Sequence, residues 1–180
     1  IVLIEFPPQP VLDLTLVKLG LIIDGLQDPG NVGTIIRTAW AAGLDCLLLT
    51  DGTADPYQGK VVRAAMGGLF HQRIYTSLSP AIITTAARQA GLQIIAGAPG
   101  ADCSYFAVDL TVPTLLLVGN EGKGIAPEWD AYRPRKVFIP QPGNAESLNV
   151  AVSAGVLVYE AVRQRLASGA LGPESQSCQN

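Results

Sequence analysis

Apolar residues in this chain come in short unbroken runs, separated by stretches with a helical repeat. The runs lie at 19–24 (LGLIID), 44–50, 92–97 and 114–119, with shorter ones at 72–75 and 136–139. Runs of this length, bounded by glycine, proline or aspartate, predict strands buried on both faces. Between them the spacing predicts helices over 31–42, 57–66 and 80–91, and a long final helix over 148–165. Asp28-Pro29 and Gly43 are start and stop signals for the first helix, Ser79-Pro80 opens another, and Ser147 is placed to cap the last. Strands alternating with helices predict an α/β fold, a parallel six-stranded sheet with helices on both faces. In such folds ligands sit beyond the carboxyl ends of the strands. That directs attention to the loops at 25–33, 97–103, 119–124 and 140–147.

Composition narrows the choice. The chain is 48% hydrophobic and 15% charged over 180 residues, which suits one well-buried domain. Its net charge is −3. A domain that holds RNA unaided is more often basic, so affinity for nucleic acid would rest on a local patch, a second subunit or another domain. Cys46, Cys103 and Cys178 are widely spaced with no CxxC pair, the usage of reduced thiols in a cytoplasmic protein, and Cys46 reads as core. The one histidine, His71, has no ligand cluster around it, so no metal is expected; it is placed at a strand edge. No apolar run reaches membrane-spanning length, and residues 1–6 are too short and lack the basic flank of a signal peptide.

Three of the loops carry candidate chemistry. Asp28-Pro29-Gly30-Asn31-Val32-Gly33 opens a helix that presents Arg37 two turns on. A helix start with a nearby arginine can hold an anion, although a single helical arginine is often only solvated. Gly119-Asn120-Glu121-Gly122-Lys123-Gly124 follows an apolar strand, and its glycines allow close backbone approach to a ligand. Its spacing is not that of a P-loop, and Gly25, Gly30 and Gly33 do not make a dinucleotide-binding GxGxxG. The third loop, 139–150, runs from a strand end into Ser147-Leu148-Asn149-Val150. Helix capping explains Ser147 there but leaves Asn149 unexplained.

Taken together and in this order, the loops resemble the three motifs of the SpoU (TrmH-like) RNA 2'-O-ribose methyltransferases of the SPOUT superfamily. Asn31, Gly33 and Arg37 match the first motif; Gly119, Glu121, Gly122 and Gly124 the second; Ser147 to Val150 the third. The resemblance covers about 19–165. It implies a C-terminal deep trefoil knot, a homodimer, and methyl transfer from S-adenosylmethionine to a ribose 2'-hydroxyl of structured RNA, ribosomal rather than transfer RNA. It implies a cofactor site at Gly97, Ala98, Gly119, Asn120, Gly122, Ile139, Ser147 and Leu148, and catalytic roles for Asn31, Arg37, Glu121, Ser147 and Asn149. Arginine at the position of Arg37 is often assigned in the family as the base. A guanidinium, with a pKa above about 12, is better suited to hold a phosphate and stabilise a developing alkoxide. Asn31 and Glu121 are expected to orient Arg37, and Ser147 with Asn149 to fix the third loop and the ribose. Val152, Val156 and Tyr159 form a stripe for the dimer contact, Lys60 and Arg63 an RNA-facing pair, and Ala65 stands where relatives often carry serine. The implied layout is a linker or arm at 1–18 after a missing N-terminal RNA-binding domain, a catalytic domain at 19–166 and a flexible tail at 167–180. The alternatives left open are a base-modifying SPOUT enzyme and a catalytically inert RNA-binding member.

Overall fold

The computed structural model of the chain describes residues 11–143 and 146–170. Among these, six strands form one sheet: β1 (Leu19–Ile23), β2 (Cys46–Thr50), β3 (Ile74–Leu78), β4 (Gln93–Gly97), β5 (Thr114–Val118) and β6 (Arg135–Val137). Their order is β3-β2-β1-β5-β4-β6, and every neighbouring pair is parallel. The α-helices are α1 (Pro29–Ala41), α2 (Gly59–Ala64), α3 (Pro80–Gln89) and α4 (Val150–Ala167). The expected class, a parallel six-stranded sheet covered on both faces, is borne out.

The two-residue period of the strands sorts the core into two layers. Leu21 and Ile23 pack with Leu47, Leu49, Ile95, Leu116 and Val118 against apolar residues of α1, α2 and α4. Ile22 packs with Cys46, Leu48, Ala96, Leu115 and Leu117 against α3 and the buried Trp129. On the first side α1 and α2 touch almost backbone to backbone. A Cβ on Gly33 would lie 2.4 Å from the Ala64 Cβ and 2.7 Å from the Val61 carbonyl oxygen, so only glycine fits this motif position.

Several boundaries depart from expectation. The helix expected over 57–66 is confined to Gly59–Ala64, because Met66 and Gly67 turn to positive φ (49° and 90°) before a 3-10 turn at Gly68–Phe70. Ile139 lies outside β6, which ends at Val137. The expected cap of the last helix is corrected: α4 begins at Val150, and Asn149, not Ser147, accepts from the amides of Ala151 and Val152 at 2.9 and 3.3 Å. Part of the expected linker belongs to the domain, since Leu14 and Val17 are buried in the layer beneath α3. Residues 1–10 and 171–180, with Cys178, lie outside the described residues, and no described helix is long and apolar enough to cross a membrane.

The amino-terminal end of the sheet is tied by α4. Arg165, 5% exposed, donates to the carbonyl oxygens of Leu110, Lys18 and Val112, each at 2.8 Å. Its neighbour Gln164 accepts from the Leu110 amide and donates to the Val108 carbonyl.

Candidate functional site

Strand order reverses between β1 and β5: β2 and β3 lie to one side of β1, β4 and β6 beyond β5. At such a switch point the loops leaving the carboxyl ends diverge and open a crevice. Here they are the segment from Gly25 into α1 and the loop Gly119–Gly124. Buried Asp24 joins the two sides. Its amide donates to the Val118 carbonyl, and its carboxylate accepts from the Thr50 hydroxyl and the Ala126 amide, both at 2.8 Å. Nothing in the sequence marks Asp24, because its partners lie 26 and 102 residues away.

The second loop is a tight, self-supporting turn. Asn120 and Gly124 exchange amide–carbonyl hydrogen bonds at 2.8 Å in both directions. The Asn120 side chain accepts from the amides of Gly122 and Lys123 and donates to the Gly25 carbonyl at 3.0 Å. A Cβ on Gly119 would stand 2.3 Å from the Gly124 oxygen, a clash with backbone that no rotamer relieves. Gly119→Ala is therefore expected to cost about 2–3 kcal/mol of stability in urea unfolding, at the upper end of ordinary overpacking. A loss below about 0.5 kcal/mol, the level of a neutral surface change, would mean that the loop moves aside freely.

The three motif loops meet at one point. Asn31 Nδ2 donates to Glu121 Oε1 at 2.6 Å. Asn149 Nδ2 donates to the same oxygen at 3.0 Å and to Asn31 Oδ1 at 3.1 Å. Asn149 thus caps α4 with its oxygen, a position that favours asparagine, and bridges the other two loops with its nitrogen. Glu121 is spent on these two amides rather than on Arg37. The expectation that Asn31 and Glu121 orient Arg37 is corrected accordingly: Arg37 is exposed and makes no hydrogen bond or ion pair among the described residues. The six-residue rise from Asn31 puts it about 9 Å further along α1.

Beside this cluster lies a cleft of about 410 Å³, bounded by β4, β5, β6 and the start of α4. Of the sequence-predicted contact residues, Gly97, Gly119, Asn120, Gly122, Ile139, Ser147 and Leu148 line it. Ala98 does not, since its amide is engaged by the Val137 carbonyl at 2.9 Å. Val118, Val137 and Val150 add apolar wall that the motifs did not suggest. Gln141 also lines the cleft, and its buried side-chain oxygen has no hydrogen-bond partner among the described residues, an acceptor left for a ligand. Among the described residues no group of three His, Cys, Asp or Glu could hold a metal ion.

The chain is similar to known proteins over most of its length. The family model described as the SpoU rRNA Methylase family matches residues 18–159. The chain is 41% identical over 139 residues to the 23S rRNA (guanosine(2553)-2'-O)-methyltransferase RlmP of Bacillus subtilis, covering 77% of this chain and 56% of the relative. It is 40% identical over 153 residues to the 23S rRNA (uridine(2479)-2'-O)-methyltransferase of Streptomyces viridochromogenes, covering 82% and 53%. The chain therefore spans a little over half the length of the curated relatives it matches. Among solved structures it superposes on the SpoU methyltransferase AviRb of S. viridochromogenes in complex with the cofactor AdoMet, with a TM-score of 0.83, 36% identity, and coverage of 91% of this chain and 64% of that one.

Proposed function

This chain belongs to the SpoU rRNA methylase family, and we propose that it is the catalytic part of an enzyme that methylates a ribose 2'-hydroxyl of RNA, ribosomal rather than transfer RNA, using S-adenosylmethionine. The observation that carries this reading is the hydrogen-bonded cluster of Asn31, Glu121 and Asn149 at the rim of the cleft, one residue from each motif. The activities of the two curated relatives, both 23S rRNA 2'-O-methyltransferases, favour ribose over base and ribosomal over transfer RNA.

The cleft suits the cofactor. Its volume falls in the range of small-molecule sites. Val118, Val137, Ile139, Leu148 and Val150 offer an apolar slot for an adenine, and Gln141 Oε1 offers an acceptor without a partner among the described residues. Gly97, Gly119, Asn120, Gly122, Ile139, Ser147 and Leu148 would hold it, largely through backbone groups. S-adenosylmethionine supplies a methyl group made electrophilic by its sulfonium.

The chain's own residues do the rest. Arg37 holds the phosphate beside the target ribose and places positive charge where negative charge grows on the 2'-oxygen. The hydroxyl proton leaves to water, because a guanidinium does not accept it. The Asn31–Glu121–Asn149 cluster keeps α1, the second loop and α4 in one arrangement, so that the ribose and the cleft stay aligned. Ser147, exposed and lining the cleft, would help to fix the third loop and the ribose.

A homodimer is part of the same reading: of the expected stripe on α4, Val152 and Tyr159 are about half exposed and Val156 is partly buried, and Leu166 extends the apolar line. So are a cytoplasmic setting and the trefoil knot. The latter is favoured by a path in which β6 joins the sheet beyond β4 and α4 returns to pack on β4, β5 and α1.

Calorimetric titration with S-adenosylmethionine is expected to give selective binding at micromolar strength, with NAD and ATP inert. A folded chain that ignores S-adenosylmethionine would overturn the enzyme reading. Mapping the modified nucleoside to a base would overturn the ribose assignment.

A further inference from the structure

We propose that the exposed face formed by α1 and the Gly68–Phe70 turn is a stacking platform for an unpaired base of the RNA substrate, continuous with Arg37. The inference rests on the RNA reading above and extends it to a surface outside the cleft.

Three observations converge on this face. Trp40 and His71 stack with ring centroids 4.4 Å apart and planes inclined by 4°. Both remain open to solvent, with Trp40 42% exposed and the adjoining Phe70 70% exposed. The other tryptophan, Trp129, is fully buried.

The second observation is continuity. A Cβ on Gly68 would sit 3.3 Å from the Arg37 Cα and 3.5 Å from the Trp40 Cβ. The turn therefore lies flush on α1 between these two residues, which are three apart and share one side of the helix. The ring column and the unpaired guanidinium form one surface.

The third is charge. The chain carries −3 overall, yet residues 29–44 and 59–71, which span α1, α2 and the turn, contain no aspartate or glutamate while holding Arg37, Lys60 and Arg63. The elements that build this face are thus locally cationic in an acidic protein. Planar rings beside arginine and lysine, with no carboxylate among them, match the demands of single-stranded RNA: a π-face for the base and positive charge for the phosphate. A protein partner would gain from the rings but would have no use for so one-sided a charge. With Arg37 on the phosphate next to the target ribose, a neighbouring nucleotide would extend the Trp40–His71 column as its next member.

The test uses the full chain and a decamer of adenylate as the probe. Because Trp129 is buried, quenching of tryptophan fluorescence reports on Trp40. Quenching that saturates with the oligonucleotide is expected. By anisotropy of the labelled oligonucleotide, Trp40→Ala should bind about tenfold more weakly and Trp40→Phe within about threefold of the parent, since stacking on an aromatic face is tolerant of the ring. Affinity for S-adenosylmethionine should stay within twofold in both. The double variant Lys60→Ala/Arg63→Ala should make the dependence of log affinity on log salt shallower by about 1.4, or ~0.7 for each phosphate no longer neutralised. If Trp40→Ala binds the oligonucleotide as the parent does, the platform is wrong. A Trp40→Ala chain that turns from dimer to monomer while keeping its RNA affinity would likewise overturn it, by making the face a self-contact. The two readings fail separately. Quenching by RNA without binding of S-adenosylmethionine would keep the platform and sink the enzyme assignment. Cofactor binding with no quenching would do the reverse.

Discussion

Arg37→Ala is expected to slow methyl transfer to RNA by a factor of about 10²–10³ in single-turnover assays, the size of effect seen when one preorganised donor to a developing oxyanion is removed. The expectation follows from what Arg37 does not do. It is exposed and makes no hydrogen bond or ion pair among the described residues. Its charge is therefore available to a ligand without the breaking of an internal bond. It also lies outside the lining of the cleft, so affinity for S-adenosylmethionine should stay within about twofold of the parent. Arg37→Lys keeps the charge but loses the planar fork that grips a phosphate at two points, and should recover only part of the rate. A rate for Arg37→Ala within about threefold of the parent, with the cofactor bound, would remove Arg37 from the chemistry.

The largest expected loss of stability is at the opposite end of the sheet. Arg165→Met should lower stability by about 2–4 kcal/mol, because three charge-assisted hydrogen bonds vanish together. The loss is not the full sum of three. The Lys18 carbonyl also accepts from the Thr114 amide, and the Val112 carbonyl from the Thr114 hydroxyl, and both of these bonds survive the substitution. The Leu110 carbonyl, bound by the Arg165 Nε, is the acceptor that the change leaves most in need of water. Burial holds the Arg165 guanidinium below its ordinary pKa, so part of the gain from its hydrogen bonds is offset by desolvation. For a domain of this size each kcal/mol moves the melting temperature by about 2–4 °C. A fall of roughly 10 °C by circular dichroism is the expected reading; a fall under about 2 °C would mean that water replaces the arginine readily.

Much of the fold is legible in the chain because buried strands announce themselves as unbroken apolar runs. β1 and β5 are readable in that way, and with them the place where the loops diverge. The motif residues Asn31, Glu121 and Asn149 are legible too, but their mutual contact is not: Asn31 lies 90 and 118 residues from the other two, and spacing says nothing about such pairs. The choice between Ser147 and Asn149 as the cap is beyond local rules, since both residue types cap well. What decides it is the distant Glu121, which draws the Asn149 amide and sets its oxygen over the first turn of α4. Ala98 reads as a cofactor contact by its place after β4, and only the pairing of β4 with β6 uses up its amide. The shortness of α2 is hidden because Met66 takes a left-handed conformation that its residue type does not signal.

The cluster of Asn31, Glu121 and Asn149 also bears on when competence arises. Its members come from the start of the first helix, the loop after β5 and the residue that opens the last helix. Contacts of such long sequence separation carry a high loop-closure cost and form late. β1, β2 and β3 can pair with α1 and α2 in place while the cleft still lacks its α4 wall. Ligand binding is then a property of the finished molecule: a chain arrested before its last helix docks lacks the cleft wall of Val150 and Ser153 and the Asn149 bridge. A ligand that fills the cleft therefore holds the two ends of the chain's folding history together, and its stabilising effect should be felt most at the last helix to arrive.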